Sequence, residues 1–176
     1  MSFLQNLNKN YFNKNLNLLP ILLIILVSRF IPHPPNFTPI ISMAILCPLF
    51  FNKNNVSLTL IIVGMFISDF FLGFYQNMIS TYLVIVLIYY FSKFYFDKKK
   101  IDVKNIIFGS IFSSLIFFLL TNLAVWAFGD LYTKNLDGLI MCYIMAIPFF
   151  TNTLISTFLF TSVAYTSCIY IIKKTA

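Results

Sequence analysis

The sequence is poor in charged residues and contains no glutamate. Only 10% of its 176 residues are charged, and its acidic side chains are five aspartates. A typical soluble domain has about 25% charged residues, so this composition cannot provide a water-exposed surface around a folded core. With a single histidine, scattered aspartates and no C-x-x-C pair among three distant cysteines, the sequence contains no metal or disulfide signal and no recognisable pair of catalytic carboxylates.

Apolar and aromatic residues dominate instead, at 60% and 19% of the chain, and they occur in long blocks. We predict an all-α protein, a polytopic bundle of six transmembrane helices forming one domain over residues 18–172. The predicted spans are 18–31, 38–51, 56–75, 79–96, 104–128 and 148–172. A span needs about 20 residues, so the final apolar block, 138–172, is too long for one. We expect Pro148 to divide it, leaving a short extra outer helix at 138–147 before the last span.

The distribution of basic residues predicts the orientation in the membrane. The formal net charge is +7, and ten of the eleven lysines fall on one side of the predicted spans, whereas Arg29 and Lys134 fall on the other. Cytoplasmic loops are enriched in lysine and arginine. We therefore expect a multi-pass protein of the bacterial inner membrane with cytoplasmic tails at 1–17 and 173–176. The charge is explained by topology and contact with membrane lipid, and no nucleic-acid partner is expected.

Polar side chains within the predicted spans share one depth, the outer third of the membrane. Polar residues inside a membrane are costly and often functional, whereas the inner half of every span is expected to be nearly pure Ile, Leu, Phe and Val. We predict that the outer residues form a ligand site, and we assign none of them as a metal ligand. Its candidate residues are Arg29, His33, Asn36, Asp69, Asn122, Trp126 and Asn152.

Each candidate also has a structural interpretation. Arg29 can extend to the outer headgroups or pair with Asp69, the only acid well inside a span. Asn122 and Asn152 can form hydrogen bonds between helices. Trp126 fits the aromatic belt at the membrane interface, and His33, on a proline-rich turn, can be a solvated loop residue.

Four sequence elements together resemble a known group of proteins. They are R-F-I-P-H-P-P-N-F-T-P-I at 29–40, S-D and G-F at 68–69 and 73–74, T-N-L-A-V-W at 121–126, and the stretch from Tyr143 through P-F-F at 148–150 to N-T at 152–153. They are similar to an uncharacterised bacterial membrane family whose members are labelled core or S components of energy-coupling factor (ECF) transporters. The first predicted helix lacks the A-x-x-x-A contact that many S components carry.

This resemblance implies six helices, cytoplasmic termini and an outward-facing site for a vitamin, cofactor precursor or metal ion. It also implies a transmembrane coupling protein and ATPase subunits as partners. We therefore expect a substrate-capture subunit of a small-solute uptake transporter. A structural or scaffolding membrane protein without transport activity is the alternative. A cavity that reaches Asp69 from outside would favour capture, and an Arg29–Asp69 pair in a closed bundle would favour a scaffold.

Enzymatic activity and a resident cofactor are not expected. The sequence contains no H-E-x-x-H, G-x-S-x-G, P-loop or dinucleotide-binding motif. An intramembrane enzyme with a serine or threonine nucleophile is a distant third alternative, which requires His33 within hydrogen-bond reach of that hydroxyl.

Overall fold

The computed structural model describes residues 19–50, 56–99 and 101–175, with side chains for 23–50, 56–99 and 101–170. Over these ranges the fold is all-helical and contains no strand. The helices are α1 (Leu19–Phe30), α2 (Ile40–Phe50), α3 (Val56–Leu72), α4 (Met78–Lys98), α5 (Val103–Phe128) and α6 (Leu136–Thr175). The predicted tail at 1–17, residues 18 and 51, the loop containing Lys53, and Ala176 lie outside the described residues.

Three helices are long and apolar enough to cross a membrane. They are α4, α5 and the part of α6 from Leu136 to Tyr170, whereas α2 and α3 are apolar but shorter. The outward faces of the helices carry large exposed apolar side chains. Phe71 of α3, Ile79 of α4 and Phe128 of α5 are each at least 70% exposed. Soluble proteins rarely expose continuous apolar surfaces of this kind, so the fold is that of a membrane protein.

Helices α1 to α5 begin and end within three residues of the predicted spans, but α6 differs from the prediction. The expected division at Pro148 is wrong, because α6 is one helix of 40 residues that continues through this proline. Residues 173–175, predicted to be a cytoplasmic tail, are helical and continue α6.

Side chains of α5 contact α6 on both sides of Pro148. The ring of Phe118 contacts Tyr143 on one side of the proline and Phe150 on the other. The Tyr143 hydroxyl also donates a hydrogen bond of 2.7 Å to the Leu119 carbonyl. Proline is tolerated inside membrane helices that pack against neighbouring helices, and α6 packs against α5 on both sides of Pro148.

The core of the bundle is centred on α2. Eight consecutive residues, Ile40–Cys47, are buried, and α2 packs against α3, α4, α5 and α6. A helix that is apolar on all sides lies either in a protein interior or in lipid, and α2 is enclosed by its neighbours. Because α2 has only 11 residues, about 17 Å at 1.5 Å per residue, the turn that leads into it lies among longer neighbouring helices.

Candidate ligand-binding site

The turn between α1 and α2, residues 31–39, is held against α6. Asn36 has a φ of 63°, a left-handed conformation that asparagine tolerates better than most residues. The Asn152 side-chain amide donates to the Pro35 carbonyl at 3.1 Å, and the Ser156 hydroxyl donates to the Asn36 carbonyl at 3.4 Å. These bonds fix the position of the turn and of the polar side chains that it carries.

An ion pair joins α1 to α3 next to this turn. Arg29 donates to Asp69 Oδ1, and the Tyr82 hydroxyl of α4 donates to Asp69 Oδ2 at 2.6 Å. Asp69 is completely buried, whereas the Arg29 side chain is 15% exposed. Both carboxylate oxygens are therefore occupied, as burial of a charged group requires.

A cavity of about 470 Å³ adjoins the ion pair and receives side chains from all six helices. Its size is within the range typical of small-molecule sites. Its polar lining residues are Arg29, His33, Asn36, Thr38, Tyr75, Asn77, Thr81, Thr121, Asn122 and Thr153. The floor contains Ile40 and Ile41 at the start of α2, and four phenylalanines of α5 and α6 form part of the wall. His33 and Asn36 are exposed at its rim.

The structure brings four of the seven predicted site residues together around this cavity, namely Arg29, His33, Asn36 and Asn122. Asn122 Nδ2 donates to the carbonyl of Phe118, one helical turn earlier, at 2.7 Å. Asp69 is buried and is absent from the cavity lining, because its carboxylate faces Arg29 and Tyr82. Ligand contact by the four lining residues stays a prediction.

The other two predicted residues, Trp126 and Asn152, do not line the cavity and have structural partners. Trp126 Nε1 donates to the Thr133 carbonyl at 2.9 Å in the loop after α5. Lys134 Nζ donates to the carbonyl oxygens of Trp126 and Gly129. Trp126 therefore helps to close the loop between α5 and α6, and Asn152 fixes the turn after α1.

Tyr82 was not predicted as a partner of Asp69, although the spacing of the two residues from the loop between α3 and α4 indicates it. Asp69 lies three residues before the end of α3, and Tyr82 lies four residues after the start of α4. The connection, residues 73–77, is short and begins at Gly73 with a φ of 102°. Two consecutive helices joined by so short a loop run antiparallel, so residues equally far from the loop meet at the same depth.

The expectation that the inner half of every span is nearly pure Ile, Leu, Phe and Val is wrong for α4, α5 and α6. Five buried hydroxyl groups lie in the halves that were predicted to be inner: Ser92, Ser110, Ser113, Ser114 and Thr161. Like the hydroxyl of Thr157, nearer the middle of α6, they have no hydrogen-bond partner among the described residues. The Ser42 hydroxyl of α2 donates to the Thr157 carbonyl at 3.0 Å. Small hydroxyl residues allow membrane helices to approach closely, which explains their position away from the cavity.

Comparison with known proteins identifies one family. The sequence profile of DUF6580, described as a family of unknown function, matches residues 9–176. This match covers nearly the whole chain, which therefore belongs to that family. No curated protein and no solved structure matches the chain.

Proposed function

We propose that this member of the DUF6580 family is the substrate-capture subunit of a small-solute uptake transporter, similar to an ECF S component. The ligand enters the cavity from the outer side and is held beside Arg29. The chain crosses the bacterial inner membrane six times with both ends in the cytoplasm, and a transmembrane coupling protein with ATPase subunits supplies the energy for release.

The observation that carries this proposal is the cavity itself. All six helices contribute to its lining, so it lies inside the bundle rather than on a lipid-facing groove. Its polar groups converge above apolar residues of α2, and a site of a few polar groups in a largely apolar cavity is typical of small-molecule binding. The short α2 makes this arrangement possible, because the turn before it leaves room between the longer helices.

The orientation is tested by labelling introduced cysteines with a membrane-impermeant maleimide. Lys99 follows α4 and is exposed, and Leu131 lies in the loop after α5 and is 79% exposed. We expect Leu131→Cys to react in intact cells and Lys99→Cys to react only after the membrane is opened. The parent chain, with its own three cysteines, is the control for background labelling. The reverse pattern would overturn the proposed orientation.

The binding function is tested with the purified full-length chain and a broad panel of vitamins, cofactor precursors and divalent metal ions. We expect saturable binding of at least one member with a stoichiometry of one per chain. Asp69→Asn should weaken this binding, because it removes the charge that holds Arg29 at the cavity. Absence of binding by every member would contradict the proposal.

A scaffolding role is the second candidate, and the Arg29–Asp69 pair is the observation that favours it. Asp69 is buried with both oxygens occupied, and Trp126 and Asn152 are committed to structural hydrogen bonds. A scaffold needs these contacts but no ligand. It predicts that Asp69→Asn destabilises the bundle while the unmodified chain binds no member of the panel.

A further inference from the structure

We propose that the cavity selects a small organic monoanion, a carboxylate attached to a flat aromatic or heterocyclic body, and that it discriminates against cations, including metal ions. This inference rests on the proposed function and narrows its ligand class. Its basis is the way in which charge and aromatic surface are distributed around the cavity.

The ion pair presents its positive end to the cavity. Asp69 is completely buried and engaged by Arg29 and Tyr82, whereas Arg29 is partly exposed and is itself a lining residue. A ligand therefore meets the guanidinium and not the carboxylate. The guanidinium group has five N–H donors, and its contact with Asp69 is made through one nitrogen. The remaining donors suit a carboxylate, with Asp69 holding the planar group in a fixed orientation.

The cavity offers little to a cation. None of its described lining residues is an aspartate, and the chain has no glutamate. Within the described ranges there is no group of three or more histidine, cysteine or aspartate side chains that could hold a metal ion. Hard divalent cations are bound mainly through carboxylates, and a cation in this cavity would also be repelled by Arg29 in a medium of low dielectric constant.

The lining favours one negative charge rather than two. Arg29 is the only arginine of the chain, and no lysine is among the described residues that line the cavity. One guanidinium, itself paired with Asp69, can balance the single negative charge of a carboxylate but leaves much of the charge of a phosphate dianion unbalanced. Phosphate sites usually gather several basic groups or backbone N–H groups.

The apolar wall fits a flat body. Phe117 and Phe118 of α5 face the cavity together with Phe149 and Phe150 of α6. The rings of Phe118 and Phe150 lie with their centroids 4.7 Å apart at an interplanar angle of 35°. Aromatic rings pack best against other rings in offset or edge-to-face arrangements. A planar ligand can contact this wall while its carboxylate reaches Arg29.

The test compares each acid with its own amide, which has nearly the same shape and no charge. The probes are benzoate and benzamide, nicotinate and nicotinamide, and indole-3-acetate and its amide, with 1-methylnicotinamide, a ring-methylated pyridinium, and Ni²⁺ as cations. We expect the purified full-length chain to bind the best acid at least about tenfold more tightly than its amide, the effect of one charged hydrogen-bonded contact. Neither cation should compete.

The outcomes separate this inference from the proposed function. Binding of a neutral or cationic compound equal to or tighter than that of every acid overturns the inference and leaves the capture function standing. If nothing binds, neither among these probes nor in the broad panel, both are wrong.

Substitutions then assign the selectivity to Arg29. Arg29→Gln should reduce the preference for acid over amide to about twofold or less, whereas Lys99→Gln, which removes an exposed charge far from the lining residues, should leave it unchanged. Because Arg29→Gln leaves Asp69 without its charged partner, the double variant Arg29→Gln/Asp69→Asn is included. Retention of a tenfold acid preference by either folded variant overturns the inference. If neither variant folds, the affinity ratio of acid to amide in the unmodified chain tests the inference: the expected ratio of about tenfold supports it, and equal affinity overturns it.

Discussion

Replacement of Asp69 by alanine is expected to lower the free energy of unfolding by about 3–5 kcal/mol, the usual cost of removing one partner from a buried ion pair. The variant leaves the Arg29 guanidinium without its counter-charge and the Tyr82 hydroxyl without its acceptor. Because Arg29 is only 15% exposed, water cannot replace the carboxylate fully. Equilibrium unfolding of the purified protein in detergent measures the change.

Two control variants distinguish loss of charge pairing from general damage to α3. The neighbouring Ser68 is also buried, but its hydroxyl donates only to carbonyl groups of its own helix, those of Gly64 and Met65. Ser68→Ala should therefore cost no more than about 1.5 kcal/mol. The double variant Arg29→Met/Asp69→Leu, which replaces the pair with apolar side chains, should recover most of the stability lost by Asp69→Ala. Equal destabilisation by Asp69→Ala and Ser68→Ala would show that the ion pair does not stabilise the bundle.

The positions of most helices could be predicted from the sequence because hydrophobic blocks and their interruptions are local features. Prolines after Phe30, the polar residues after Phe50 and the lysine-rich segment after Phe96 all interrupt apolar runs, and the described helices end close to them. A membrane helix is selected by its own length and composition. No tertiary information was needed for this part of the fold.

Pro148 shows where local information is insufficient. A proline in an apolar block of 35 residues predicts a break, since it removes one backbone hydrogen bond. The helix nevertheless continues, and Phe118 of α5 contacts rings on both sides of the proline. That contact depends on the packing of α5 against α6, which periodicity in α6 alone does not reveal.

The candidate site was predicted from depth, and depth alone does not specify which side of a helix a residue occupies. Arg29, His33, Asn36 and Asn122 face the cavity, but Asn152, at a similar predicted depth, points to the Pro35 carbonyl. The cavity itself could not be predicted, because it depends on α2 being enclosed by four longer helices. The aromatic wall was missed because phenylalanine is too frequent in the sequence for the wall residues to stand out.

Replacement of Val125 by tryptophan is expected to weaken binding of the best carboxylate probe by at least about 100-fold, equivalent to about 2.7 kcal/mol. Val125 lies on α5 and its side chain lines the cavity, so the larger indole occupies the space that the ligand needs. The helix end should survive, because the carbonyl of Val125, which accepts a 2.9 Å hydrogen bond from Gly129, is unchanged. Binding is measured by titration, and ligand-induced thermal stabilisation, which follows from preferential binding to the folded state, should disappear in parallel.

Leu123→Trp is the matched control for this experiment. Leu123 is two residues away on the same helix but is 42% exposed and does not line the cavity. The same bulky side chain at position 123 projects from the exposed face of α5, where apolar residues are tolerated. It should leave the affinity within about twofold of that of the unmodified chain. If Val125→Trp folds and binds as tightly as Leu123→Trp, the ligand does not occupy this cavity, and the substrate-capture site must lie elsewhere in the chain.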